Sequence, residues 1–292
     1  MDDARFGIIV LAHGSQRGFS KEECSCTLVP NGDNFSDDAI ALWCRDCPDT
    51  AKGVNLLCSM IQNSIGEDKA VVINSFLEFL EPNPYQSIKK LIDKGLKKIV
   101  IFPFLLGNGK HATLELDELL EELRNDNPTV EIDITDGMGS DPRLAEMITE
   151  RAEIILTNDS RYEGKDGVII VKAGTKTEYD DCLWLGDLSD LVQDKLGESI
   201  NTTYAQSHYG LPEMDERTSY IINEGGVHNV TFVPYLFFPG LILQRNIMGT
   251  IKKYQIEFPH VKFNLAPPLG ITEILGDIAV DRILSALGSK QD

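Results

Sequence analysis

Three residues of this chain combine the chemistry needed to hold a divalent metal ion and move protons beside it: His13, Glu78 and His111. Each follows an apolar run of strand character. His13 ends the run Phe6 to Ala12, Glu78 follows Ala70-Val71-Val72-Ile73, and His111 follows Ile99-Val100-Ile101-Phe102 through a loop holding Gly107 and Gly109. In an open α/β sheet, residues just past the C-terminal strand ends share one rim, and ligands bind there. Two imidazoles and a carboxylate with open coordination positions suit Fe(II), Co(II) or Ni(II), and a neutral imidazole accepts a proton near neutral pH. A single histidine so placed is more simply a satisfied polar residue, but three such residues on one rim favour the functional reading.

The elements that must place them alternate. The spacing predicts helices over Thr50 to Ile65, about Tyr85 to Gly95, roughly Thr113 to Arg124, and Asp141 to Leu156, the last with a proline in its first turn. Val130 to Ile134 reads as a fourth strand. Pro103 has no N–H for a ladder, so the third strand is expected to be ending, or at an edge, there.

The second half repeats the first. Gly167-Val168-Ile169-Ile170-Val171-Lys172-Ala173-Gly174 lies over the strand ending His13-Gly14, 160 residues on (173 against 13). Leu211-Pro212 lies over Glu81-Pro82 at an offset of 130 (212 against 82). Phe232-Val233-Pro234-Tyr235-Leu236 lies over Ile101-Phe102-Pro103-Phe104-Leu105, and Arg282 over Arg151, at an offset of 131 (282 against 151). Such constancy marks two copies of one βαβαβαβα unit. The expected fold class is therefore α/β: two duplicated lobes, each a mainly parallel four-stranded sheet with helices on both faces, and a cleft at the strand C-termini for a flat ligand. The expected division is 1–158 for the first lobe, with an insertion at about 17–49, and 164–292 for the second. The second copy lacks the histidine pair: Ala173 stands for His13, His208 for Glu78 and Ile242 for His111. A histidine required by the fold would be expected in both.

The insertion holds four of the six cysteines, Cys24, Cys26, Cys44 and Cys47, with Trp43 beside them. Paired thiolates at close spacing suit zinc or an iron–sulfur cluster, although one intervening residue in the first pair matches no standard zinc signature. The alternative is a set of incidental loop cysteines. Cys58 and Cys182 fall in helical patterns and read as small packed apolar residues. Glu115, Asp117 and Glu118, on the helix after His111, read first as a solvated acidic helix start.

Net charge is −19, from 46 acidic and 27 basic residues. That field disfavours nucleic acid and anionic membranes as partners. No apolar run approaches the roughly 20 residues that cross a bilayer, and the start of the chain does not read as a secretory signal, so a cytoplasmic location is expected. No Walker-type or dinucleotide glycine motif is present, and no organic cofactor is expected.

Strand-His13-Gly14-Ser15, then Phe76-Leu77-Glu78 with Pro82, then Pro103, Leu106, Gly109 and His111 resembles the sirohydrochlorin chelatases of the CbiX type, class II enzymes that insert cobalt or ferrous iron into a tetrapyrrole. The resemblance covers most of the chain, because the long form of that family is also a duplicated two-lobe protein. It implies a chelatase-like fold, a lyase of cobalamin or siroheme biosynthesis, sirohydrochlorin as the tetrapyrrole, and Co2+ or Fe2+ as the substrate metal. It also implies His13 and His111 as catalytic and metal-binding residues, with Glu78 as the acid. This chain departs from the family in delaying the first acid after His111 to Glu115, and in carrying the cysteine insertion. Lys110 and Arg17 are candidates to meet substrate carboxylates. The competing readings are a non-catalytic metal carrier, a chelatase for another macrocycle such as protoporphyrin, and a tetrapyrrole-binding protein with histidine axial ligands. The chain is expected as a monomer or homodimer.

Overall fold

The computed structural model describes residues 5–14, 50–107, 114–157, 164–174, 182–240 and 242–288. His111, Lys110, Arg17 and the cysteines Cys24, Cys26, Cys44 and Cys47 lie outside them. The first half contains β1 (Phe6–Ala12), α1 (Thr50–Ile65), β2 (Ala70–Phe76), α2 (Pro84–Ile92), β3 (Lys98–Phe104), α3 (Leu114–Asp126), β4 (Glu131–Ile134) and α4 (Leu144–Thr157). The second contains β5 (Lys165–Lys172), α5 (Leu183–Leu196), β6 (Ile200–Gln206), α6 (Met214–Asn223), β7 (Val227–Tyr235), a π-helical turn (Ile242–Ile247), α7 (Met248–Glu257), β8 (Lys262–Leu265) and α8 (Glu273–Gly288).

Two four-stranded sheets result, ordered β2-β1-β3-β4 and β6-β5-β7-β8, with every pairing parallel. The central strands are continuous apolar runs because helices cover both of their faces. Ile8, Ile9, Val10 and Leu11 of β1 are buried, as are Val168, Ile169, Ile170 and Val171 of β5. Each such side chain contributes about 1.5–3 kcal/mol on burial, so these strands anchor everything at their ends. Local signals agree with the packing at α2: Asn83 caps the helix, accepting from the Gln86 N–H at 3.0 Å, while the Gln86 side chain accepts from the Asn83 N–H at 2.8 Å.

Pro103 is accommodated inside the ladder. It pairs in register with Leu11, and β3 ends one residue later, at Phe104. The Ile101 carbonyl accepts from Thr135 N–H, the last such bond on the β4 side, because β4 stops at Ile134. Pro103 points the same way two residues later, where no strand remains to need its missing N–H. Pro234 repeats the arrangement: Phe232 accepts from Ala266 N–H after β8 has ended at Leu265.

The compact units do not follow the sequence repeat. One consists of the described residues through Gly139 together with Ile271 onward; the other runs from Ser140 to Gly270. Helix α8, last in the second repeat, packs on α1 and β3, while α4, last in the first repeat, packs on α5 and β7. At Gly276 α8 and α1 touch closely enough that a Cβ there would be in van der Waals contact with Met60, 3.4 Å from its Cβ. Within the other unit, buried Arg151 of α4 donates to the carbonyls of Pro268 and Leu269 at 3.2 and 2.7 Å. The Asp141-Pro142 start expected for α4 is a turn, with Asp141 accepting from Arg143 N–H at 3.1 Å, and regular helix begins at Leu144.

Candidate active site

The β1–β2 ladder runs past its strands and ties His13 to Glu78. Ala12 pairs with Phe76; beyond them, Leu77 N–H donates to Ala12 O and Glu78 N–H to His13 O, both at 2.9 Å. The two sequence-predicted residues are thus backbone neighbours on the C-terminal rim of the first sheet. His13 is half-buried and Glu78 exposed. His13 Nδ1 lies 3.1 Å from the Gly14 carbonyl. With Nδ1 protonated that contact is a hydrogen bond, which leaves Nε2 as the lone-pair atom.

Gly14 makes the close approach feasible. Its φ is +94°, and a Cβ on it would lie 1.9 Å from the Glu78 carbonyl oxygen. That same carbonyl accepts from Leu80 N–H at 2.8 Å, closing a three-residue turn about Phe79, whose φ is +64°. A bulky residue in this region costs about 1–3 kcal/mol, and Phe79 is nonetheless 54% exposed. Its ring centroid stands 6.3 Å from that of His13, at an interplanar angle of 42°. Downstream, Phe76 N–H donates to Pro82 O at 2.9 Å, across a cis Glu81–Pro82 bond.

The second lobe keeps this framework and changes its chemistry. Ser207 N–H donates to Lys172 O and Gln206 N–H to Pro212 O, across a cis Leu211–Pro212 bond. Gly174 approaches His208 so closely that a Cβ would be 1.2 Å from its carbonyl oxygen. Tyr209 occupies the place of Phe79, again with positive φ (51°), and its ring lies 4.8 Å from His208. Where the first lobe has Ala12 and His13, this one has buried Lys172, its Nζ 5.9 Å from the Trp184 ring centroid, and then Ala173. His208 Nδ1 is 2.7 Å from Ser207 Oγ. Burial, and next the charge of Lys172, hold its imidazole below the ordinary pKa.

Among the described residues no group of three histidine, cysteine or acidic side chains forms a metal cage; His111 is not one of them. Asp117 and Glu118 of α3 are exposed, as expected for a solvated helix start. His228 and His260 are exposed away from either rim, His228 in β7 and His260 in the turn before β8. Cys58 is buried in α1, where desolvation pushes its thiol up to about 12. Cys182 is buried too, but at the N-cap of α5 with φ 57°, outside the helix proper. A cavity of about 640 Å3 lined by Lys94, Lys97, Lys98 and Glu131 opens at the starts of β3 and β4, the opposite end of the sheet from His13. Phe79 and Tyr209 were not singled out in the sequence; an aromatic residue after Glu78 and one after His208, at the repeat offset, were the available signal. No described helix is long and apolar enough to cross a membrane.

A model of the CbiX family matches residues 46–154 and again 167–286. The first match begins beyond β1, so His13 precedes it, as do Cys24, Cys26 and Cys44. Sirohydrochlorin ferrochelatase of Priestia megaterium is 28% identical over 225 residues, covering 74% of this chain and 77% of that relative. Sirohydrochlorin cobaltochelatase of the same organism is 23% identical over 224 residues, covering 74% and 69%. Among solved structures, SirB from Bacillus subtilis with Fe3+ superposes with a TM-score of 0.72 at 18% identity, over 98% of this chain and 97% of that one. The chelatase SirB from Bacillus subtilis subspecies spizizenii in complex with cobalt gives 0.68 at 16%, over 98% and 97%. These two likenesses carry the fold, two all-parallel sheets with helices. The doubled family match, covering most of the chain, establishes that the chain belongs to the CbiX family.

Proposed function

We propose that this chain is a metal chelatase that inserts cobalt or ferrous iron into sirohydrochlorin. The observation that carries the reading is the rim pairing of His13 with Glu78 at the ends of β1 and β2 in a CbiX-family chain. The names of the relatives support both the tetrapyrrole and the two metals.

Insertion exchanges two pyrrole N–H protons for one M2+, so the site must hold the ion loosely and accept two protons. His13 Nε2 can do either, because the Gly14 carbonyl stands where it would accept a hydrogen bond from a protonated Nδ1. Exposed Glu78 serves as a further ligand or as the second proton acceptor. His111 is assigned as the other metal-binding histidine; β3 ends at Phe104, level with Ala12, and its following loop leads from the same rim. Ala173 replaces His13 in the second lobe, so the chemistry is assigned to the first.

Incubating the protein with Co2+ or Fe2+ and sirohydrochlorin, and following the absorption spectrum, tests the reading. Conversion well above the uncatalysed rate is expected, with little on apolar protoporphyrin. Metal and macrocycle that bind without conversion would make the protein a carrier and refute the proposal. For Cys24, Cys26, Cys44 and Cys47 the reading is an accessory zinc or iron–sulfur site, supported by two closely spaced pairs in one segment. Elemental analysis tests it: a purified chain free of zinc and iron would end it.

A further inference from the structure

We infer that Phe79 positions the macrocycle, presenting the ring on which the flat face of the tetrapyrrole rests beside His13. The inference builds on the chelatase reading and adds a contact to it. Phe79 is 54% exposed and sits at φ +64°, a conformation that glycine or asparagine adopts far more readily. Neither core packing nor the turn therefore accounts for a phenyl ring there.

The duplication supplies an internal comparison. At the matching station Tyr209 is 58% exposed at φ 51°. Around it the repeat has diverged: His208 replaces Glu78, Gly210 replaces Leu80 and Leu211 replaces Glu81. An exposed aromatic ring in a left-handed backbone is what both copies keep, beside His13 in the first and beside His208, which stands in the place of Glu78, in the second. Exposed apolar side chains are ordinary one at a time; a strained one held twice in the same place points to a flat partner. Aromatic rings pair at centroid separations of about 4.5–7 Å. A macrocycle on Phe79, whose centroid is 6.3 Å from that of His13, brings its pyrrole nitrogens toward the imidazole that receives their protons.

The test titrates metal-free sirohydrochlorin, by its own absorption and fluorescence, into wild type, Phe79→Ala, Phe79→Gly and Phe79→Tyr, and then measures Co2+ insertion by each. Loss of the ring should raise Kd and KM together by about 3–10-fold, with kcat within about threefold. Phe79→Tyr should restore binding. Phe79→Gly fits the left-handed backbone without a ring, so its fold should hold while binding is lost as in Phe79→Ala. Ile256→Ser, at an 84% exposed site on α7, should change nothing. Wild-type Kd and KM in the glycine variant, or a loss confined to kcat, would overturn the inference and leave the chelatase reading standing. A wild-type protein that fails to bind sirohydrochlorin would overturn both.

Discussion

Replacing Gly14 by alanine disturbs the rim without touching its reactive side chains. A Cβ would stand 1.9 Å from the Glu78 carbonyl oxygen, where real contacts do not fall below 3.0 Å, so that carbonyl must retreat by roughly the difference, 1.1 Å. Two hydrogen bonds depend on it staying: Glu78 N–H to His13 O and Leu80 N–H to Glu78 O. Each contributes about 0.5–1.5 kcal/mol. The φ of +94° adds about 1–2 kcal/mol for any residue with a Cβ. Together they predict a loss of about 2–5 kcal/mol, read by urea unfolding. A misplacement near 1 Å in a catalytic constellation costs about 100-fold, so Co2+ insertion by folded Gly14→Ala should fall about 10–100-fold. Gly174→Ala meets the same clash, at 1.2 Å from the His208 carbonyl. Gly174 has no positive φ, so the clash alone should lower its stability, while cobalt insertion stays close to the wild-type rate. Wild-type stability in Gly14→Ala would refute the rim geometry. A destabilised yet fully active Gly14→Ala would refute the link between that geometry and catalysis.

Arg151→Met leaves the carbonyls of Pro268 and Leu269 without their charged donor, and should cost about 3 kcal/mol in thermal or urea unfolding; an unchanged midpoint would contradict the buried contact. Cys58, its thiol pushed up to about 12 by burial, should stay unalkylated by iodoacetamide at pH 8 in the folded protein and react once urea is added. Peptide mapping by mass spectrometry distinguishes it from the other cysteines. Because folding lowers the His208 pKa, by burial and then by Lys172, the unfolded chain binds its proton more readily. Its contribution to stability is present above the ordinary imidazole range and is lost as pH falls through that range toward the lowered value. Comparing wild type with His208→Asn in urea at pH 8 and pH 5 should show a shallower fall in the variant; parallel curves would argue against the shift.

The duplicated fold was legible because its signals are local. Buried parallel strands appear as unbroken apolar runs at β1 and β5, and the constant offset survives in features sequence alone does not show, such as the paired cis prolines at 82 and 212. What the sequence hid was non-local. The repeat defines which helix belongs to each copy, but not which sheet the helix covers. Both sheets offer similar apolar faces, so α4 and α8 can exchange without any change in their own patterns. Pro103 read as a strand end or an edge position, and which of the two applies depends on where β4 stops, a fact of pairing and not of composition. At the site, histidine and glutamate stood out by residue type and position. Phe79 did not, because its distinction is a left-handed backbone that aromatic residues give no sign of adopting.

The central claim is that the first-lobe rim performs metal insertion, and the most direct measurement is the rate of Co2+ insertion into sirohydrochlorin by His13→Ala. Loss of a metal-binding base predicts a fall in kcat of about 10²–10⁴-fold, in a protein whose urea midpoint stays near that of wild type. A His13→Ala enzyme working within about threefold of wild type would contradict the account, because base catalysis of this size cannot then pass through that imidazole.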